Sequence, residues 1–435
     1  MKLKALVAGI GLAFASSMVH AEEQKPNIIY IIGDGMGFEF ITAYRYAMSD
    51  LDSKTIAKTE FDAMLKGAAT TYPDDDTWVT DSAAGATALA TGVKSYNGAI
   101  GVDADKYPLQ TMMELARESG WSTGSVSTSQ VNHATPASFF THHPSRYEYN
   151  QIADKIATQV VEGEASFDVM LGGGQSYFDR DDKNWLDILP EHGMQIVTDM
   201  EQLESVDTEP VMGLFAEKGL PYAIDGDVDA LANMTRTALR LLDKKQQPFA
   251  LMIEGSEIDW CGHANDIACA VHEMDGLNRA LQVVREYREN NPNTLIVMTA
   301  DHSTGGLTIG RDGEYAWYSD RVMQIESSIA HMSEEMLSMD SDNWPEYVAD
   351  KVNFELTQDY IDELAIAAEE EGEAREDSLH QALVYITADI TGTGWTTSGH
   401  TGVDVPVFAA GPYSENFGGY MDNTDIGKAL IEIVR

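Results

Sequence analysis

The chain has 435 residues, 43% of them hydrophobic, with 28 Lys and Arg against 71 Asp and Glu and a formal net charge of -43. That length and apolar content suffice for one large core and exclude wholesale disorder. A surface this acidic repels nucleic acid and anionic membranes, so neither is an expected partner, and it suits a salt-rich setting.

Lys2 and Lys4 precede the apolar run Ala5–Ala15, and Ser16–Ala21 ends in Val-His-Ala. This pattern is expected to be a secretory signal cleaved after Ala21, with the mature protein, 22–435, periplasmic or secreted. No later stretch is long and apolar enough to span a bilayer.

Asn27–Gly33 (NIIYIIG) is a short β-branched apolar run ended by Gly-Asp-Gly, the pattern of a buried strand. Similar runs follow at Ser122–Ser127, Phe167–Leu171, Phe249–Ile253, Thr294–Thr299 and Val405–Ala410. Helical patterns alternate with them at Leu109–Arg117 and Leu231–Leu242. The clearest runs from Ile267 to Tyr287, with Ile267, Val271, Met274, Leu277, Leu281, Val284 and Tyr287 on one face. The alternation implies an α/β fold: a three-layer α/β/α arrangement around a large, mostly parallel sheet. Asp34, Glu254 and Asp301-His302 each directly follow a strand run. In open α/β sheets the ligand site lies off the carboxyl ends of the strands, so these are candidate site residues.

Thr80-Asp81-Ser82 leads into small helix-formers, with Gly92 just past the expected helix end. Taken alone, such a triplet is a helix cap. A serine in the first turn becomes a nucleophile only with an adjacent base or a metal. Candidates to supply one are Glu254…Asp259…His263, Asp301-His302 and His400 in Ser398-Gly-His-Thr-Gly402. Asp259 and His263, four apart, share one side of a helical turn. Imidazole with carboxylate suits zinc, and an oxygen-only set with a hydroxyl suits magnesium. Cys261 and Cys269 would stand about 12 Å apart in one helix, beyond bridging reach, so a disulfide requires Cys261 to lie in the loop before that helix.

Residues 311–395 break the strand–helix rhythm. From Glu326 to Asp389 there are 18 acidic residues against Lys351 and Arg375, and the stretch is expected to be an acidic insertion with helices such as Tyr360–Glu371.

Together these stretches resemble the alkaline phosphatases. The resemblance rests on Gly33-Asp-Gly-Met-Gly37, Thr80-Asp-Ser-Ala-Ala84, His133-Ala-Thr135-Pro-Ala with Arg146, Glu254…Asp259…His263, Thr299-Ala-Asp301-His302 and Gly399-His400-Thr401. It implies a homodimer that hydrolyses phosphate monoesters of broad specificity through a phosphoserine on Ser82. It further implies two zinc ions, one on Asp259, His263 and His400 and one on Asp34, Asp301 and His302. A magnesium would sit on Asp34, Thr135 and Glu254. Arg146 would clamp the phosphate and Asp81 would orient Arg146. His133 and Trp260 stand where the most familiar bacterial pattern has aspartate and lysine, a pair similar to cold-adapted marine members, and the imidazole opens the third site to zinc. Alternatives are a phosphodiesterase or other phospho-transfer enzyme on the same scaffold, or an exported acidic metal-binding protein without catalysis.

Overall fold

Every residue of β1 (Asn27–Gly33) after Asn27 is buried, because the Ile-rich run is covered on both faces and sits in the middle of the sheet. The computed structural model describes residues 25–163 and 165–435; the expected signal, 1–21, lies outside them. Along the chain follow β2 (Leu65–Thr70), β3 (Ser122–Gln130), β4 (Val169–Gly173), β5 (Gln195–Val197), β6 (Val211–Leu214), β7 (Phe249–Gly255) and β8 (Thr294–Thr299). Two short antiparallel pairs come next: β9 (Ser303–Thr304) with β12 (His400–Thr401), and β10 (Thr308–Ile309) with β11 (Thr393–Gly394). With β13 (Val405–Ala410) and β14 (Gly419–Asp422) the main sheet has ten strands, in the order β14-β2-β13-β8-β1-β7-β3-β4-β6-β5. Only β13 runs against its neighbours, so the expected α/β class with a mostly parallel sheet holds.

Helices cover the sheet. Ala230–Asp243 packs beside Ile267–Asn290, whose buried face contains Ile267, Val271, Met274, Leu277, Leu281 and Val284 as expected, while Tyr287 at the end of that stripe is half-buried. Ser82–Thr91 packs against Ala134–Phe140 and Asn423–Val434. None of the helices is long and apolar enough to cross a membrane, among the described residues.

The two cysteines are bridged, which corrects the single-helix spacing. Cys261 lies not in a loop, as a bridge was expected to require, but in its own helix, Glu257–His263, and Cys269 in the next, with Cα atoms 5.5 Å apart. The break at 264–266 rests on Asn265 in the left-handed region (φ 54°), followed by Asp266, whose carboxylate caps Ala268 and Cys269.

Between β10 and β11 the chain is helical, including Gln358–Glu369 where a helix was expected at 360–371. These helices share a hydrophobic cluster separate from the main core, with Ile329, Met332, Trp344, Val348, Leu364 and Leu383 among its buried members. The pairing of Thr308 with Gly394 and Ile309 with Thr393 closes the base of this segment.

Candidate active site

Ser82 is the first residue of the helix Ser82–Thr91, and Asp81 is its N-cap, accepting from the Ala84 N–H at 2.9 Å. All ten helix residues are buried, which explains the run of small side chains. A Cβ at Gly85 would already stand 3.1 Å from Asp301, so a larger residue would push this helix off the site. The Ser82 hydroxyl lies 3.2 Å from His302 Nε2.

The sheet assembles the carboxylates. Asp34 leaves the end of β1, and Glu254 stands on neighbouring β7, its register partner being Ile32. Asp301 and His302 leave β8 on the other side of β1, and Asp301 Oδ1 accepts from Gly35 N and His302 N. The helix Glu257–His263 carries Asp259 and His263, with Asp259 Oδ2 3.3 Å from His263 Nε2. His400 arrives on β12 through its pairing with β9, opposite Thr304.

Three sets of side chains are close enough to share an ion: Asp34, Asp301 and His302; Asp259, His302 and His400; and Asp34, His133 and Glu254. The hydrogen-bond pattern fits cations at these points. Asp34 Oδ1 and Oδ2, Asp301 Oδ2, Glu254 Oε1 and Thr135 Oγ1 are all buried without a hydrogen bond, with His302 Nε2 standing 3.3 Å from Asp34 Oδ1 and 3.2 Å from Asp301 Oδ2. His263 Nδ1 donates to the Ser398 carbonyl and His400 Nδ1 to the Thr80 carbonyl, so each ring turns a lone pair out at Nε2. Those two Nε2 atoms face each other at 3.1 Å, which is repulsive unless a positive ion lies between or beside them. Without a cation the carboxylates also resist ionising together. Burial, then Asp259, pushes Asp301 up to about 8, and burial pushes Glu254 to about 7. Asp34 is raised by burial and by Asp301, Asp259 and Glu254.

Arg146 borders this cluster. Its Nη1 donates to Asp81 Oδ2 at 3.0 Å and its Nη2 to His133 Nε2 at 3.3 Å. Asp81 therefore does both jobs considered for it, Oδ1 as cap and Oδ2 as the arginine's partner. His133 precedes the helix Ala134–Phe140, stacked on Tyr149 at 13° and edge-on to Trp260 at 85°. Burial, then Arg146, lowers its pKa to about 3, so the ring is neutral.

All thirteen expected site residues thus lie in or directly around one constellation. Three more belong to it: Thr304, whose hydroxyl donates to Asp259; Asn97, which accepts the Asp81 N–H at 2.7 Å; and Tyr149 under His133. Their only sequence signal is that Thr304 stands three residues past Asp301.

Grouped cation ligands facing a helix-borne hydroxyl and a held guanidinium define a metal-assisted hydrolase of anionic esters. Known proteins narrow that class. The alkaline phosphatase family model matches residues 25–435. Alkaline phosphatase 3 of Bacillus subtilis is 42% identical over 427 residues, covering 95% of this chain and 90% of that protein. The crystal structure of a cold-active alkaline phosphatase from Shewanella sp. superposes with a TM-score of 0.87 at 43% identity, covering 94% of this chain and 100% of that one. The alkaline phosphatase of the Antarctic bacterium TAB5 gives a TM-score of 0.70 at 28% identity, over 94% and 98% of the two chains. A histidine-to-glutamate variant of TAB5 has Mg bound in a site called M3. The chain belongs to the alkaline phosphatase family and is a phosphoric monoester hydrolase.

Proposed function

We propose that the protein hydrolyses phosphate monoesters of broad specificity through a phosphoserine on Ser82, at a centre holding two zinc ions and one magnesium. The observation that carries this reading is the set of buried, unpartnered ligand oxygens of Asp34, Asp301, Glu254 and Thr135 beside the Ser82 hydroxyl. Asp259, His263 and His400 would hold one zinc, Asp34, Asp301 and His302 the other, and Asp34, Thr135 and Glu254 the magnesium. When bound, these ions supply Lewis-acid charge that favours the serine alkoxide and offsets the phosphate's negative charge.

Ser82 Oγ attacks phosphorus in line, forming the Oγ–P bond as the bond to the leaving alcohol oxygen breaks. Water then attacks from the vacated side, the Oγ–P bond breaks, and phosphate departs. Arg146, kept in place by Asp81, binds two phosphate oxygens with its planar fork. With no further contact required to the alcohol portion, the choice of ester is broad. The backbone carbonyls behind His263 and His400 fix both rings' tautomers.

The third site has a second reading, zinc, favoured by the unpartnered Nδ1 of His133 beside Asp34 and Glu254. A guanidinium only donates, so His133 accepts at Nε2 and keeps its proton on Nδ1 while Arg146 holds it. A ring protonated at Nδ1 offers no lone pair there, so the hydrogen bond from Arg146 favours magnesium over zinc at this site.

The Lys-apolar-Val-His-Ala pattern of residues 1–21 and the Cys261–Cys269 bridge support a periplasmic or secreted location. The reading includes a homodimer with 311–395 at or near the contact, and a salt-rich habitat. Zinc and magnesium content measured beside p-nitrophenyl phosphate turnover tests the reading. Both metals should be present and chelation should abolish turnover; a protein without zinc, or turnover indifferent to chelation, refutes it.

A further inference from the structure

Arg146 is tethered by a carboxylate and by an imidazole, and the imidazole is the weaker anchor. Its backbone is fixed, since the Arg146 N–H donates to the Gly98 carbonyl at 2.8 Å. The guanidinium stands at the end of a long side chain, so its direction depends on what its N–H groups meet. Nη1 meets Asp81 and Nη2 meets His133 Nε2, which leaves the other N–H groups for an anion. His133 has only that one side-chain hydrogen bond, because its Nδ1 is buried without a partner. Hydrogen bonding therefore leaves the ring free to turn about its Cβ–Cγ bond, a torsion with broad wells. Packing has to fix it.

Tyr149 supplies that packing. Its ring lies within 13° of parallel to the His133 ring, with centroids 6.4 Å apart, an offset stack. Tyr177 backs it at 5.4 Å. Asn132, the residue before His133, donates from Nδ2 to the Tyr149 carbonyl at 3.0 Å, which ties the stack to the turn that carries the imidazole. None of these contacts uses the Tyr149 hydroxyl. Trp260 meets His133 edge-on, but it shares a helix with Asp259 and His263, whereas Tyr149 opens the helix Tyr149–Glu162, which carries none of the candidate ligands. We propose that Tyr149 is a positioning residue for phosphate binding: its flat ring sets the plane of His133, and His133 sets the direction of Arg146. This rests on the reading of Arg146 as the phosphate clamp. The effect passes through the guanidinium, so it acts on the binding of phosphate oxygens and leaves Ser82 as the nucleophile.

Steady-state turnover of p-nitrophenyl phosphate and its inhibition by inorganic phosphate, both on the zinc- and magnesium-loaded protein, test the proposal. Tyr149→Ala should raise KM and the phosphate inhibition constant together by about 3- to 10-fold, the worth of one aromatic pair, with kcat changed less than about twofold. Tyr149→Phe keeps the flat ring and should recover most of that loss. In an Arg146→Ala background Tyr149→Ala should cost less than about twofold further, because the group it positions has gone. Tyr149→Leu, which fills the space without a flat ring, gives the same readout if Tyr149→Ala does not fold. An undiminished loss in the Arg146→Ala background overturns the proposal. So does a Tyr149→Phe variant as impaired as Tyr149→Ala, or a Tyr149→Ala variant with wild-type KM and inhibition constant. A wild type without turnover, or Arg146→Ala with wild-type phosphate affinity, would count against the phosphatase and clamp readings instead, so the failures are distinguishable.

Discussion

Acidic side chains do opposite things at the strand ends and in the helices between β10 and β11. At the strand ends Asp34, Glu254 and Asp301 are fully buried, and Asp259, on the helix that follows β7, is 3% exposed. Between Glu326 and Asp389 none of the 18 acids is buried, and Glu369, Glu370 and Glu371 all face water. Hydrated carboxylates repel one another weakly through solvent and salt, so many are tolerated. In the dry pocket burial and neighbouring carboxylates raise Asp34 and Asp301 and burial raises Glu254, while the His263 hydrogen bond and the surrounding imidazoles hold Asp259 low against its burial, so the group requires cations. The density of acids along the chain is therefore no guide to the site, whereas burial without a counter-charge is.

The largest test of that contrast is to remove the metal. Chelation should abolish turnover and reverse the pH dependence of stability. In the metal-free protein Asp301 sits at about 8 and Glu254 at about 7, above the ordinary value near 4 of the unfolded chain. The folded state then binds protons more tightly than the unfolded one. Stability is greatest below the unfolded value and falls as pH rises from about 4 to about 8, by up to ~1.4 kcal/mol per pH unit for each group. The loaded protein should gain stability over the same window, because protons compete with cations for the ligands. Calorimetry from pH 5 to 8, with and without chelator, reads this directly; a stripped protein whose Tm climbs through the window sinks the account.

Next in size is Ser82→Ala, which should cost at least roughly a thousandfold in kcat while zinc content and Tm stay near wild type. Full turnover would mean that another group attacks phosphorus. Smaller effects belong to the arginine. Arg146→Ala should lower kcat/KM by about 10- to 1000-fold. Asp81→Asn keeps a cap oxygen but loses the charge on Arg146, so a loss of about tenfold or less is expected, with little change in Tm. If Asp81→Asn proved as damaging as Arg146→Ala, Asp81 would be acting on more than the arginine's position.

How much of this was legible in the sequence depends on how local each feature is. The central strands announce themselves as β-branched runs, and Asp34, Glu254 and Asp301 are visible because each follows one. Strand β2, LKGAAT, lacks that signature because it is short, half exposed and flanked by β13 and β14. The disulfide was hidden by the turn at Asn265, whose left-handed backbone no periodicity reveals. Thr304, Asn97 and Tyr149 acquire their roles only through contacts made by the fold. The double duty of Asp81 was split into rival readings because cap and ion pair use different oxygens of one carboxylate, a distinction that only geometry resolves.

The smallest expected effect lies on the solvated side of the contrast. Replacing Glu369, Glu370 and Glu371 with Gln should shift stability by no more than ~0.5 kcal/mol per site, since none is buried. The net charge of -43 should nonetheless slow the approach of a phosphate dianion at low ionic strength. Added NaCl should therefore raise wild-type kcat/KM, and the triple variant should start slightly higher and respond slightly less. Stopped-flow or steady-state measurements at limiting substrate, over a salt series, decide the point. A steady fall with salt in the wild type would mean that the cations and Arg146 govern the encounter, and that the acids between β10 and β11 are electrically remote from the site.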